Sequence, residues 1–222
     1  MLNWEKINFV LLDMDGTLLD LHFDNFFWHS HIPSKYAQAH NVSLVEAQKY
    51  LHVETSKVSG EIEWYCLDYW TDKLDLPIVE LKKEIQHKIA LRPDTLPFLA
   101  ALKAAKKQVV LLTNAHPDSL SLKVERTALD QHIDVLISTH RYGATKESQV
   151  LWQKLQADLK FDNDSTLFVD DSLTILNSAK KFGIQHLLAV ANPDSTLPSF
   201  NETHLKGYSY ITDYRNIIAD II

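Results

Sequence analysis

Five short apolar runs punctuate the chain, at residues 9–12, 109–112, 135–137, 167–169 and 187–190. Each is too short for a helix and lacks the alternation of a half-exposed strand. Near-continuous Val, Leu, Ile and Phe over this length reads as strand buried on both faces, the condition that a parallel sheet imposes. Helical patterns lie between the runs: 94–105, with Leu96, Leu99 and Leu102 on one side, 119–129, 146–159, and 172–182 closed by Gly183 as a C-terminal cap. Strand alternating with helix constrains the chain to an α/β fold, a Rossmann-like parallel sheet with right-handed crossovers.

One interval breaks this rhythm. Between the first two runs there is no convincing strand, but helical stretches occur at 44–57, 61–73 and 78–89, punctuated by Pro33, Gly60 and Pro77. The expected organisation is therefore a core made of residues 1–20 and 92–222, with an α-helical insertion at 21–91. Lys plus Arg number 22 against 29 Asp plus Glu, a net charge of −7 with no basic block, which argues against a nucleic-acid polymer or an anionic membrane as partner. The lone Cys66 has no matching His or Cys spacing and reads as a buried core thiol. The first residues lack a basic start followed by a long apolar run, so a cytoplasmic protein is expected.

The chemistry sits where the runs end. The first is followed by Asp13-Met14-Asp15-Gly16-Thr17, the second by Thr113-Asn114, the third at a distance by Lys146, and the fourth by Asp170-Asp171-Ser172. Ligands of open α/β sheets bind at the carboxyl ends of the strands, so four carboxylates, a lysine and a hydroxyl are expected in one crevice. Taken singly, each has a plainer role: Asp or Thr as a helix cap, Asp170 and Asp171 as a favourable pair at a helix start, Lys146 as a solvated lysine. Together they repel one another unless a hard cation compensates, and Mg²⁺ with oxygen ligands fits such a site.

In this order and spacing the four segments resemble the haloacid dehalogenase-like hydrolase superfamily, over nearly the whole chain. The resemblance implies that Asp13 is the nucleophile, forming an aspartyl-phosphate, and that Asp15 is the acid/base. It implies that Thr113 and Asn114 with the following amides hold the phosphoryl oxygens, and that Lys146 neutralises nucleophile and phosphate. Magnesium would be held by Asp13, the Asp15 backbone carbonyl and Asp171, with Asp170 acting directly or through water. The dehalogenase branch lacks the second aspartate, so Asp15 favours phosphoryl transfer. The insertion lies where the superfamily places a C1-type cap, a lid over the crevice.

Two aromatic clusters mark the insertion, residues 21–29 and 61–70. Phe23 or Trp64 could stack on a nucleobase and Asn25, Asp24 or Asp68 could read its edges, although lid packing explains the same residues. Arg92 could orient an anionic group or serve as a hinge ion pair, and His116 could contact substrate or cap the helix entered at Pro117. Residues 11–21, 64–70 and 112–117 further resemble the bacterial GMP/IMP 5′-nucleotidases. That resemblance implies a nucleoside monophosphate as the small-molecule substrate, with IMP and GMP hydrolysed to nucleoside and phosphate. A phosphatase or phosphomutase for sugar phosphates shares the same core segments and stays open, as does a phosphorylated signalling receiver.

Overall fold

The computed structural model describes residues 2–201, 203–205 and 207–221. Met1, Glu202, Lys206 and Ile222, which fall in the expected core segments, lie outside the described residues. Among the described residues, six strands form one parallel sheet: β1 (Phe9–Leu12), β2 (Gln108–Thr113), β3 (Val135–Ser138), β4 (Thr166–Asp170), β5 (His186–Val190) and β6 (Ser209–Ile211). Their order is β3-β2-β1-β4-β5-β6, so the direction of progression reverses at β1. In β1, Val10 and Leu12 pack with Leu111, Val169 and Phe98 on one side of the sheet, while Phe9 and Leu11 pack with Val110, Phe168 and Trp152 on the other. Burial on both faces is the reason the run is apolar without alternation. The edge strand β6 is absent from the sequence expectation because Ser209-Tyr210-Ile211 is short and buries only Ile211.

The segment between β1 and β2 is helical. Its first helix, α1 (His22–Phe26), passes through a π-helical stretch at Phe27–His31 into α2 (Ile32–His40). Pro33 has no N–H to donate and its ring would crowd the carbonyl four residues back, so a wider turn just before it accommodates the proline. Ser43 and Glu46 form a reciprocal capping box that starts α3 (Leu44–Lys57). The expected helix at 61–73 is two: α4 (Ile62–Tyr65) and α5 (Leu67–Leu74), broken at the extended Cys66. There the Trp70 indole N–H donates to the Trp64 carbonyl at 2.9 Å, taking the place of a ladder bond. Cys66 is accordingly half-buried at a helix junction and not a core thiol. With α6 (Ile78–Glu84), these helices bury their own core of Phe23, Phe27, Leu51, Leu67, Trp70 and Leu81.

The remaining helices are α7 (Thr95–Ala104), α8 (Pro117–Thr127), α9 (Gln149–Leu159), α10 (Leu173–Phe182) and α11 (Arg215–Ile221). In α7 the buried positions are Thr95, Phe98, Leu99, Ala101 and Leu102, and Leu96 is exposed. Ser148 accepts from the Val150 N–H and starts α9 at Gln149, which leaves Lys146 in the preceding turn and not in the helix. Gly183, at φ 110°, ends α10 as the sequence pattern indicates.

The chain leaves and re-enters the sheet side by side, where Leu19 and Leu91 form an antiparallel bridge. Arg92, directly after this crossing, is buried. It donates to the Asn192 carbonyl at 2.6 Å and the Thr212 carbonyl at 3.1 Å and pairs with Asp94 at 3.4 Å. Asp94 in turn accepts from the Tyr214 N–H, and Tyr214 stacks on Phe98 and donates to the Thr17 carbonyl. Removing a partner from a buried ion pair typically costs about 3–5 kcal/mol. Arg92→Leu is expected to lower the unfolding free energy by about that amount in urea denaturation; a variant as stable as the wild type would return Arg92 to an anion-orienting role.

Candidate active site

The carboxyl ends of β1, β2 and β4 face one cavity of about 620 Å³ between the sheet and the helical insertion. Its floor follows from register. Leu12 pairs with Val169, and the next residues on the two strands are Asp13 and Asp170. Lys146 reaches between them: its ammonium donates to Asp13 Oδ1 and, at 2.8 Å, to Asp170 Oδ2. The lysine is aimed from its backbone, whose N–H donates to Asn114 Oδ1 at 2.9 Å and whose carbonyl accepts from the Trp152 indole. Thr113 Oγ1 accepts from the Ala115 N–H at 3.0 Å beside them.

Burial dominates the electrostatics. It pushes Asp13 up to about 6, with the Lys146 charge limiting the rise, and it raises Asp170 despite the same lysine. Asp171 is driven well above the usual carboxylate range by burial and by the charges of Asp170 and Asp13. Burial alone would lower Lys146, but the two flanking carboxylates hold it above the ordinary lysine range, so it stays cationic. Asp15 is pushed up to about 7 by burial, against the attraction of Lys123.

A second charged chain runs from the floor into the insertion. Lys123 of α8 lies 2.7 Å from Asp15 Oδ1 and 2.6 Å from Asp24 Oδ2, and Lys82 of α6 lies 2.8 Å from Asp24 Oδ1. Burial opposes the charge on Asp24, yet the two lysines hold its carboxyl well below the ordinary range. Two further contacts join the insertion to the sheet side: Tyr65 donates to Glu147 at 2.7 Å, and Thr145 donates to the Gly60 carbonyl at 2.8 Å.

The structure brings together Asp13, Asp15, Thr113, Asn114, Lys146, Asp170 and Asp171, all of which line the cavity. The Asn114 side chain is engaged internally, accepting from Thr139 and the Lys146 N–H and donating to Glu147, so a bound anion meets its backbone only. Of the residues singled out in the insertion and at its edge, Asp24, Asn25, Trp64 and His116 line the cavity. Asn25 donates to Asp194 at 2.7 Å, and His116 caps α8 by accepting from the Asp118 N–H. Phe23 does not line it, being 1% exposed under Lys82 and Lys123 in the helical core. Arg92 does not line it either, for the reason given above. Asp68 is exposed at the rim, 3.5 Å from His116 Nε2. Sequence reasoning missed Lys82, Lys123, Glu147 and Tyr65. Ser119 and Lys123, four apart on α8, are both buried on one helix face, a placement that the residue types do not announce in the sequence.

Asp13, Asp170 and Asp171 each offer a carboxylate oxygen within 4.8 Å of the others. Both Asp170 oxygens are already hydrogen-bonded, one by Lys146 and one by the Ser172 N–H. Clustered oxygen donors carrying excess negative charge, two of the three carboxylates buried, suit a hard divalent cation, and the residues present therefore fit one. Among the described residues, no helix is long and apolar enough to cross a membrane.

A parallel sheet of this order with acidic strand ends and a helical insertion after β1 defines a hydrolase class, and residues 7–183 match the haloacid dehalogenase-like hydrolase family. The chain belongs to that family. It is 44% identical over 219 residues to the GMP/IMP nucleotidase YrfG of Escherichia coli strain K12, covering 99% of this chain and 97% of the relative, and equally so to the protein of that name from Shigella flexneri. Among solved structures, a HAD phosphatase from Thermococcus onnurineus superposes with TM-score 0.77 at 21% identity, covering 97% of this chain and 98% of that one. L-2-haloacid dehalogenase from Xanthobacter autotrophicus shares the fold at TM-score 0.65 and 17% identity, over 96% and 97% of the two chains.

Gly16 adopts φ +84° and lies so close to the site that a Cβ there would sit 2.6 Å from Asp171 Oδ2 and 2.9 Å from Pro193 Cβ. Gly16→Ala is expected to cost about 1–2 kcal/mol from the left-handed backbone alone, with a further loss from the displaced Asp171. Thermal unfolding of the variant checks this; an unchanged melting temperature would show that the loop relaxes freely.

Proposed function

We propose that the protein is a magnesium-dependent 5′-nucleotidase that hydrolyses IMP and GMP to nucleoside and phosphate. The observation that carries the chemistry is the separation of two aspartates by their lysines. Asp13 is held by Lys146 within the carboxylate cluster, whereas Asp15 faces Lys123 and the insertion. The purine substrate rests on the 44% identity to relatives named GMP/IMP nucleotidases. A cavity of about 620 Å³ is of the size that takes small organic ligands. Trp64 on its wall offers a flat apolar surface.

In this reading Asp13 attacks phosphorus, an aspartyl-phosphate forms and the bond to the 5′ oxygen breaks. Asp15 gives its proton to the leaving oxygen, then takes one from the water that attacks the phosphoryl group, so that phosphate leaves and Asp13 is regenerated. Burial suits Asp15 to this, because a carboxyl pushed up to about 7 holds a proton near neutral pH. Lys146 keeps Asp13 from repelling the anionic substrate, and Thr113 with the backbone amides after it receives the phosphoryl oxygens. Asp13, Asp171, the Asp15 carbonyl and, directly or through water, Asp170 would hold Mg²⁺, which supplies charge neutralisation and polarisation of the phosphoryl group. Because both Asp170 oxygens are hydrogen-bonded, Asp171 is the more direct ligand. The helices between β1 and β2, at 21–91, act as a cap that excludes water from the cavity.

Phosphate release from IMP, GMP, AMP, UMP, glucose 6-phosphate and p-nitrophenyl phosphate, with and without EDTA, tests this reading. The expected result is preference for IMP and GMP that EDTA abolishes; preference for glucose 6-phosphate would keep the chemistry and discard the nucleotide. Asp13→Asn is expected to abolish turnover while retaining the fold, and wild-type rates in that variant would remove the nucleophile assignment. Asp15→Asn is expected to slow both the formation and the hydrolysis of the phosphoryl-enzyme in single-turnover assays, with neither step spared.

A further inference from the structure

We infer that Cys66, His116 and His140 form a second metal site, for a borderline-soft cation such as Zn²⁺, that ties the helical insertion to the sheet. One ligand atom from each of the three lies within 4.8 Å of the other two. They come from three separate places: Cys66 from the break between α4 and α5, His116 from the loop after β2, and His140 from the 3₁₀ turn at Thr139–Tyr142 after β3. The imidazoles stand edge to face with centroids 5.1 Å apart. A thiolate and two imidazoles make a donor set of a different kind from the all-oxygen cluster of Asp13, Asp170 and Asp171, and it selects zinc over magnesium.

The orientation of the rings supports coordination. His140 Nε2 is buried without a hydrogen-bond partner, while the ring is hydrogen-bonded to the Asn114 backbone. A buried nitrogen left unpaired costs stability, and a metal bond would satisfy it. His116 presents Nε2 toward Asp68, whose carboxylate at 3.5 Å can complete a four-coordinate set, or a water can. Its Nδ1 now accepts from the Asp118 N–H. Metal on Nε2 shifts the ring proton to Nδ1, which ends this cap bond and leaves Asp118 Oδ2, 3.7 Å away, as the carboxylate the Nδ1–H can turn toward. Tetrahedral zinc with bonds of about 2.0–2.3 Å places its ligands roughly 3.3–3.8 Å apart. From separations within 4.8 Å, the cluster therefore contracts by about 1–1.5 Å at most. On binding, the Cys66 thiol proton leaves to solvent.

The consequence is mechanical. Of the three, Cys66 comes from the insertion, and a metal bond between it and the two histidines fixes α4 and α5 over the cavity, on whose wall His116 stands. Zinc would then inhibit by holding the insertion shut, at a site distinct from the magnesium ligands of the proposed reaction.

Co²⁺ titration of the purified protein in saturating Mg²⁺ tests the site, because thiolate-to-cobalt charge transfer absorbs in the near ultraviolet and oxygen ligands give no such band. One equivalent of band-forming cobalt, competed away by Zn²⁺, is expected for the wild type. Cys66→Ser should lose the band. His140→Ala should weaken the affinity by at least the roughly 10–100-fold that even outer-shell partners cost, with far-UV circular dichroism confirming that both variants fold. Zn²⁺ should inhibit phosphate release from the wild type at concentrations that leave Cys66→Ser active. No charge-transfer band in the wild type, a band unchanged in His140→Ala, or equal zinc inhibition of wild type and Cys66→Ser would overturn the inference.

Discussion

Lys146 is the interaction on which the centre of this molecule depends. A parallel sheet whose progression reverses at β1 sets the ends of β1 and β4 side by side, and the residues that emerge there are Asp13 and Asp170. Two buried carboxylates at neighbouring strand ends repel each other and have lost their hydration, a combination that would open the edge of the sheet if uncompensated. One ammonium bonded to both removes the conflict. Its position is fixed in turn by Asn114, which receives the lysine's backbone N–H, and by Trp152, whose indole holds its carbonyl. The apolar sheet core thus supports the polar site through a small set of side chains whose hydrogen bonds are directed.

The same logic is repeated one layer up. Asp15 and Asp24 are a second, half-buried carboxylate pair, with Lys123 between them and Lys82 behind. Here the two acids come from opposite sides of the cavity, so the lysines do more than neutralise charge. They connect the sheet edge to the helical insertion through ion pairs that depend on both sides being in place. Glu147 makes a parallel connection, taking a hydrogen bond from Tyr65 of α4 and another from Asn114. The seating of the insertion on the sheet therefore rests on contacts with the residues beneath it.

Much of this could be read from the order of residues. The five apolar runs, their spacing and the polar residues that follow them indicated a parallel sheet with a charged crevice at its carboxyl edge. What escaped was of two kinds. The strand β6 and the break at Cys66 are local features overridden by their surroundings: an edge position for the one, the indole of Trp70 for the other. Lys82, Lys123 and Glu147 lie in charged stretches that read as solvated helix faces, and nothing local distinguishes a lysine that meets water from one that meets a distant aspartate.

The sequence by itself determined the alternation of strand and helix, the helical insertion and the carboxylates at the ends of the first and fourth apolar runs, because hydrophobic period and strand-end position are properties of neighbours in the chain. Only the tertiary structure decided the partners. Arg92 could equally have faced a ligand or a hinge, and the loop carbonyls of Asn192 and Thr212 with Asp94 made it a hinge. Phe23 could have met a base, and burial beneath two lysines made it core. Cys66, His116 and His140 are separated by 50 and 24 residues in the chain, and only the docking of α4 and α5 against the ends of β2 and β3 brings them together. Contacts of this kind arise from packing between distant segments, which no local period encodes.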